Sequence, residues 1–189
     1  MSRVGQAADA VFPSAPASVA AGRHFRDVLG NVPTGVVVIT AQGRDDQPVG
    51  MVVGSFTSVS LDPPMVLFLA DRASSTFPKI REAGHFAVNV LASDQVGLCH
   101  AMAAKAPERF EAHGWAAAGS GAPVFDGIVA WIDCTLVEVV DAGDHVIALG
   151  AVRDLQVTSG KLPLLFFRGG YGAFEPHTTR LADWFVGWG

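Results

Sequence analysis

Residues 49–69 constrain the fold more than any other stretch of this 189-residue chain. They begin as an apolar run interrupted by Gly50 and Gly54 and continue through the hydroxyls of Ser55, Thr57, Ser58 and Ser60, spaced by Phe56 and Val59. Asp62-Pro63-Pro64 then breaks the extended chain, and residues 65–69 resume it as a buried strand. Glycine inside a strand weakens it unless another backbone or a ligand comes close. Serine and threonine beside those glycines frame the bare backbone with neutral hydrogen-bond donors. A flat aromatic ligand with polar edges suits such a surface better than a metal ion or a nucleic acid. An ordinary strand pair joined by a serine-rich turn fits the same pattern, since lone glycines also mark bulges.

Half of the residues are hydrophobic and 16% are charged, with a mean hydropathy of +0.34. No apolar run approaches the roughly 18 residues that span a bilayer, so no membrane partner is expected. The apolar content belongs in a core, in a subunit interface, or in both. We expect both, because an obligate dimer interface resembles a domain core cut in half. The length suits one domain. A net charge of -5 and a pI near 5.6 provide no basic stripe for phosphates and argue against nucleic acid. The first 21 residues lack a cationic start followed by an apolar block and do not read as a secretory signal. Cys99 and Cys134 lie far apart and match no metal or disulfide spacing, and the six histidines show no paired spacing. A cytoplasmic protein without a metal site is the expectation.

Along the chain, residues 1–22 carry Pro13 and Pro16 without clean periodicity and read as a flexible arm. Phe25, Val28 and Leu29 predict a helix over 23–29, stopped by Gly30-Asn31. A turn over 32–35 leads into a β-branched strand over 36–40, and residues 42–48 form a hairpin loop. Ser74, Ser75 and Thr76 are candidate N-caps for a short helix over 77–82, with Pro78 in its first turn. With Arg72 and Lys79 nearby, that helix start would hold a phosphate, or it is a capped surface helix and nothing more. Residues 84–91 predict a buried strand, Ser93 the cap of a helix through 96–104, 107–113 a second short helix, and 115–126 a surface excursion. In that first helix Cys99 and His100 are adjacent and point apart, so they make no catalytic pair.

A long strand over 128–140 follows, with Ala130, Ile132, Cys134, Leu136 and Glu138 on one face. Residues 141–144 turn it back into a strand over 145–155. A short strand over 163–167 precedes the glycine-rich Arg168-Gly169-Gly170-Tyr171-Gly172. Trp184, Phe185 and Trp188 mark a tail, residues 176–189, that docks on the body or on a second subunit. Many short strands, few helices and frequent turns predict a closed or nearly closed barrel. No strand leads into a G-x-G-x-x-G helix start, which removes the doubly wound dinucleotide fold.

Five ordered stretches then carry a resemblance. They are Pro33-Thr34-Gly35-Val36; Gly50-Met51 through the hydroxyl segment to Pro63-Pro64; Phe86-Ala87-Val88-Asn89-Val90-Leu91; Gly143-Asp144-His145; and Pro163-Leu164 with Gly170-Tyr171. Over about residues 25–174 the chain resembles the flavin reductase-like family, short-chain NAD(P)H:flavin oxidoreductases with an FMN-binding split β-barrel, mainly β with flanking helices. The resemblance implies one such domain over 23–175, a homodimer, a flavin (FMN or FAD) near the subunit interface, and NADH or NADPH stacking on it. It places the flavin ring and ribityl chain along Pro33, Thr34, Gly35 and Val36 and along Val52, Val53, Gly54, Ser55, Phe56, Thr57 and Ser58. The phosphate falls near Ser74, Ser75 and Thr76, and Asn89 joins the cofactor-binding set. His145, the catalytic candidate, borders the nicotinamide with Arg168, Gly169, Gly170 and Tyr171. Family members often carry Thr where this chain has Val52, and Asn or Ala where it has Gly54. A flavin contact at Val52 therefore runs through backbone, and Gly54 widens the approach.

The implied chemistry asks little acid–base work of the protein. Hydride transfer needs donor and acceptor held about 3–3.5 Å apart with aligned orbitals, and the hard chemistry is the cofactor's. Backbone N–H groups over 55–58 would stabilise charge building on the flavin pyrimidine edge. His145 reads as a contact to the nicotinamide amide or a phosphate, or as a hairpin histidine in solvent. Tyr171, the only tyrosine, reads as a site residue in a segment permitting close backbone approach, or as an interface aromatic. The leading expectation is a reductase supplying reduced flavin to a separate oxygenase. The alternatives are a flavoprotein oxidase or monooxygenase that keeps FMN for its own organic substrate, and a non-catalytic flavin-binding dimer.

Overall fold

The computed structural model describes residues 19–175. Most of the expected arm and all of the aromatic tail lie outside the described residues. Helix α1 (Val19–Leu29) begins four residues before the helix expected from Arg23 and reaches into the stretch read as an arm. It stops where Gly30-Asn31 predicted: the Gly30 N–H donates to Arg26 O at 2.8 Å, and Asn31 Nδ2 donates to Asp27 O at 2.7 Å.

The body then runs β1 (Thr34–Gly35), β2 (Val37–Gln42), β3 (Pro48–Val53), β4 (Thr57–Leu61), β5 (Pro64–Asp71), α2 (Phe77–Ala83) and β6 (His85–Val90). It continues through α3 (Val96–Ala103), β7 (Trp115–Ala117), β8 (Pro123–Phe125), β9 (Ala130–Ala142), β10 (His145–Val157), β11 (Leu164–Phe167) and β12 (Gly170–Ala173). Seven strands form one antiparallel sheet in the order β3-β2-β6-β9-β10-β5-β4, and a smaller sheet follows the order β1-β11-β12. The large sheet curls until β3 packs on β5. Ser55, just past β3, clasps the seam: its hydroxyl donates to Leu69 O at 3.2 Å and accepts from the Leu69 N–H at 3.0 Å. The expected nearly closed barrel is what this order and clasp produce.

The core explains the strand patterns. β2 is buried along almost its whole length, because both of its faces are covered. One face joins Phe68, Phe86, Val88 and Ile80 inside the barrel; the other joins Leu91, Leu98, Met102, Phe110 and Phe125 under α3. α2 ends on Gly84, whose φ of 71° is the left-handed cap that glycine adopts without a Cβ penalty. In β10, a Cβ at Gly150 would lie 2.4 Å from Phe86 Cζ, so the glycine is what lets that ring seat against the strand.

Several expectations need correction. Ser93 does not cap α3; Gln95 holds the cap position, and its side-chain oxygen accepts the Ala92 N–H at 3.0 Å. Residues 107–112 are turns rather than a helix, because Phe110 is drawn inward to stack on Phe125 at 5.6 Å. The surface excursion contains the hairpin β7–β8, with Ala122 and Phe125 buried. The inward face of β9 follows Ile132, Cys134 and Leu136, but Val137 is an extra residue in the register. That bulge reverses the phase, so Val139 rather than Glu138 packs on the core.

Cys134 offers a direct check on this interior. Burial, then the adjacent Asp133 carboxylate, pushes its thiol from 9.0 up to about 12. The thiol stays protonated in the native state at mildly alkaline pH. Iodoacetamide is expected to spare Cys134 in native protein and to label it in urea; rapid native labelling would contradict the packing. The raised folded value also sets a sign. Its contribution to stability is complete below 9.0 and declines as pH rises towards about 12, because the unfolded state releases its proton first.

Candidate active site

The C-terminal end of β3 is a wall shared by two clefts. Val52, Val53 and Gly54 line a cleft of about 180 Å³ with Thr34, Val36, Phe166 and Tyr171. The same three residues also line a cleft of about 270 Å³ with Met51, Ser55, Leu69, Asp71 and His145. A third groove of about 410 Å³ adjoins the first through Tyr171 and includes Pro33, Leu165, Phe167 and Gly170.

The small sheet builds the first cleft. Thr34 lies opposite Phe166 and Phe166 opposite Tyr171, so three strands present these side chains in one row on one face. The Tyr171 ring meets Phe166 edge-on at 5.4 Å and His100 at 5.3 Å. Its hydroxyl shares a hydrogen bond with Cys99 Sγ at 3.3 Å. That bond, then burial, raises the Tyr171 pKa above its ordinary value. Cys99 and His100 thus make no dyad with each other, yet both fix Tyr171. Sequence reasoning missed this role, because the hydroxyl and the thiol are 72 residues apart.

His145 opens β10 opposite Asp71 of β5. Its Nδ1 lies 2.7 Å from Asp144 Oδ1, and this hydrogen bond holds the exposed Asp144 carboxyl below its usual range. A carboxylate only accepts, so Nδ1 carries the proton and Nε2 is left to a ligand. Below β5 the expected phosphate loop is partly committed. Ser74 Oγ accepts the N–H groups of Thr76 and Phe77, at 3.2 and 3.1 Å, and Thr76 is buried. Ser75 Oγ remains exposed and accepts from Lys105 Nζ at 2.7 Å. Lys105 was not anticipated; the turn after α3 delivers it across the fold.

The structure therefore gathers Pro33, Thr34, Val36, Val52, Val53, Gly54, Ser55, His145, Gly170 and Tyr171 around adjoining clefts. Gly35, Phe56, Thr57 and Ser58 neighbour these clefts in the chain without lining them. Arg168 instead donates from Nε and Nη2 to Asn31 Oδ1, at 2.8 and 2.5 Å, tying the Gly169 turn to the end of α1. Asn89 lies apart from the residues that line these clefts. It is fully buried, with Nδ2 donating to Val38 O, Thr40 Oγ1 and Pro123 O, and Oδ1 accepting the Phe125 N–H. It is a core residue.

Residues 29–175 match the family model described as flavin reductase like domain. The chain belongs to the flavin reductase-like family. A flavin reductase of Pseudomonas putida is 53% identical over 150 residues, covering 79% of this chain and 88% of its own. The reductase subunit HsaB of a flavin-dependent monooxygenase from Mycobacterium tuberculosis is 42% identical over 164 residues, covering 86% and 87%. Among solved structures, a homolog of nitrilotriacetate monooxygenase component B from Mycobacterium thermoresistibile superposes with a TM-score of 0.81 at 38% identity, covering 86% of this chain and 92% of that one. The fold is the split barrel of this family, and the chain is a flavin oxidoreductase.

The family's cofactor fits the residues present. The first cleft offers aliphatic and aromatic walls for a flat ring, and at Gly54 it offers bare backbone where a Cβ would strike Thr34. Among the described residues no cluster of His, Cys, Asp and Glu could hold a metal ion.

Proposed function

We propose that the protein catalyses NAD(P)H-dependent reduction of FMN or FAD by direct hydride transfer and passes the reduced flavin to a separate monooxygenase. The observation that carries this reading is the run Val52, Val53 and Gly54, which lines both the Tyr171 cleft and the His145 cleft and so makes them neighbours. A bound flavin supplies the hydride acceptor and a bound nicotinamide the donor. The protein's part is geometry. Val36, Val52 and Val53 exclude water from the ring, with Thr34, Phe166 and Tyr171 forming the opposite row. The Ser55 clasp on Leu69 holds the turn after β3, whose backbone N–H groups meet charge developing on the ring edge. Lys105 and Ser75 offer a cation and a hydroxyl to the phosphate. His145, oriented by Asp144, offers Nε2 to a carboxamide or phosphate.

The reading includes a homodimer. Phe25, Val28, Leu29 and Val32 are exposed apolar residues on and after α1, and Val137, Val140, Leu155 and Val157 are exposed along the β9–β10 hairpin. Surfaces of this kind are covered in an assembly. No helix among the described residues is long and apolar enough to cross a membrane. Two free buried thiols and a nicotinamide donor suit the cytoplasm.

The test is oxidation of NADH and NADPH with FMN, FAD or riboflavin added in turn. We expect many turnovers per protein, saturable in flavin, with one flavin and one nicotinamide preferred. Oxidation no faster than the free-flavin background would reject the reductase reading in favour of a flavin-binding dimer. A tightly held flavin with slow turnover of added flavin would favour an oxygenase with its own substrate.

A further inference from the structure

Gly54 does not occupy the left-handed backbone region, so its conformation is open to any residue. What demands glycine here is space. A Cβ on Gly54 would lie 2.7 Å from Thr34 Oγ1 and 3.4 Å from Thr34 Cβ, with Gly35 O next at 3.7 Å. The obstacle is therefore one side chain, and that side chain is itself a wall of the Tyr171 cleft. Thr34 has two ways to yield to a methyl group. It can rotate, which changes the wall directly. Alternatively β1 can shift, and because Thr34 pairs with Phe166 and Phe166 with Tyr171, that shift moves the whole row. Either response alters the space between the row and the β3 wall.

We propose that the Gly54–Thr34 contact sets the width of the ring-binding cleft, making Thr34 the positioning residue and Gly54 the residue that determines how closely a flavin ring approaches the β3 backbone. This rests on the flavin reductase reading. The methyl would point at Thr34, whose Oγ1 and Cβ are the nearest atoms to it. The contact thus couples affinity for the flavin to the identity of two side chains.

The experiment is a double-mutant cycle read in steady-state kinetics, with flavin KM, nicotinamide KM and kcat measured separately. Gly54→Ala is expected to raise flavin KM about tenfold, the lower range of overpacking costs, while nicotinamide KM rises by clearly less. Adding Thr34→Ala removes the obstructing Oγ1 and is expected to return flavin KM to within about threefold of Thr34→Ala alone. Should Gly54→Ala not fold, the double variants Thr34→Ser/Gly54→Ala and Thr34→Ala/Gly54→Ala replace it. The serine variant keeps Oγ and should show the higher flavin KM.

Wild-type turnover with an unchanged flavin KM in Gly54→Ala would overturn the inference and leave the reductase reading standing. A raised flavin KM that Thr34→Ala does not relieve, or a rise shared equally by nicotinamide KM, would also overturn it. If the wild-type protein neither turns over nor binds added flavin by fluorescence quenching, the reductase reading and this inference fall together.

Discussion

Replacing Phe68 by alanine is expected to lower the unfolding free energy by about 3–5 kcal/mol, the cost of emptying a phenyl-sized site in a packed core. Phe68 is fully buried on β5 and sits between two other rings, edge-on to Phe86 at 5.1 Å and to Phe77 at 6.1 Å. These three come from β5, α2 and β6, so the cavity cannot close by moving one element. Phe86 is further confined, because its ring already presses on the bare backbone of Gly150. A domain holds only about 5–15 kcal/mol in all, so this single change removes a large share. Urea unfolding would show the midpoint falling with the slope unchanged. A loss under about 1 kcal/mol would mean that the rings collapse freely into the space, contrary to the interlocked packing. The same change reaches the site: Leu69, next to Phe68, lines the His145 cleft and carries the Ser55 clasp.

The features legible in the sequence are those written in local chemistry. The β-branched run became β2, the turn over 141–144 became the long hairpin, and Gly50 and Gly54 marked β3 as the strand other groups approach. Gly50 is approached by Phe110 and Met102, and Gly54 by Thr34, so the first serves the core and the second the cleft. Nothing local distinguishes the two. The features that escaped are contacts between distant elements. Lys105 reaches Ser75, Cys99 reaches Tyr171, and Ser55 closes the barrel on Leu69, each across a separation that leaves no periodic trace. Residues 107–113 failed for a related reason. Their composition suits a helix, but burying Phe110 against Phe125 and satisfying Ala106 O with Arg109 Nη1, at 2.9 Å, outweighs one more helical turn.

Asn89 shows how a polar residue in an apolar run reads two ways, and its replacement separates them. Asn89→Ala is expected to cost about 3 kcal/mol or more, because the Phe125 N–H, Val38 O and Pro123 O lose partners in a buried setting where each orphan costs about 1–3 kcal/mol. Thr40 limits the damage, since its hydroxyl still donates to Pro123 O at 2.5 Å. The network joins β2 and β6 to β8, so exchange of the Phe125 amide hydrogen should accelerate along with global destabilisation. Asn89→Asp should be no better: it keeps an acceptor for Phe125 but faces its second oxygen with carbonyls and buries a charge. Flavin KM is the deciding measurement. With its side chain outside every cleft described, Asn89→Ala should leave flavin KM within about twofold in the fraction that remains folded. A variant of wild-type stability with a strongly raised flavin KM would return Asn89 to the cofactor site and would mean that β6, not β3, carries the ring.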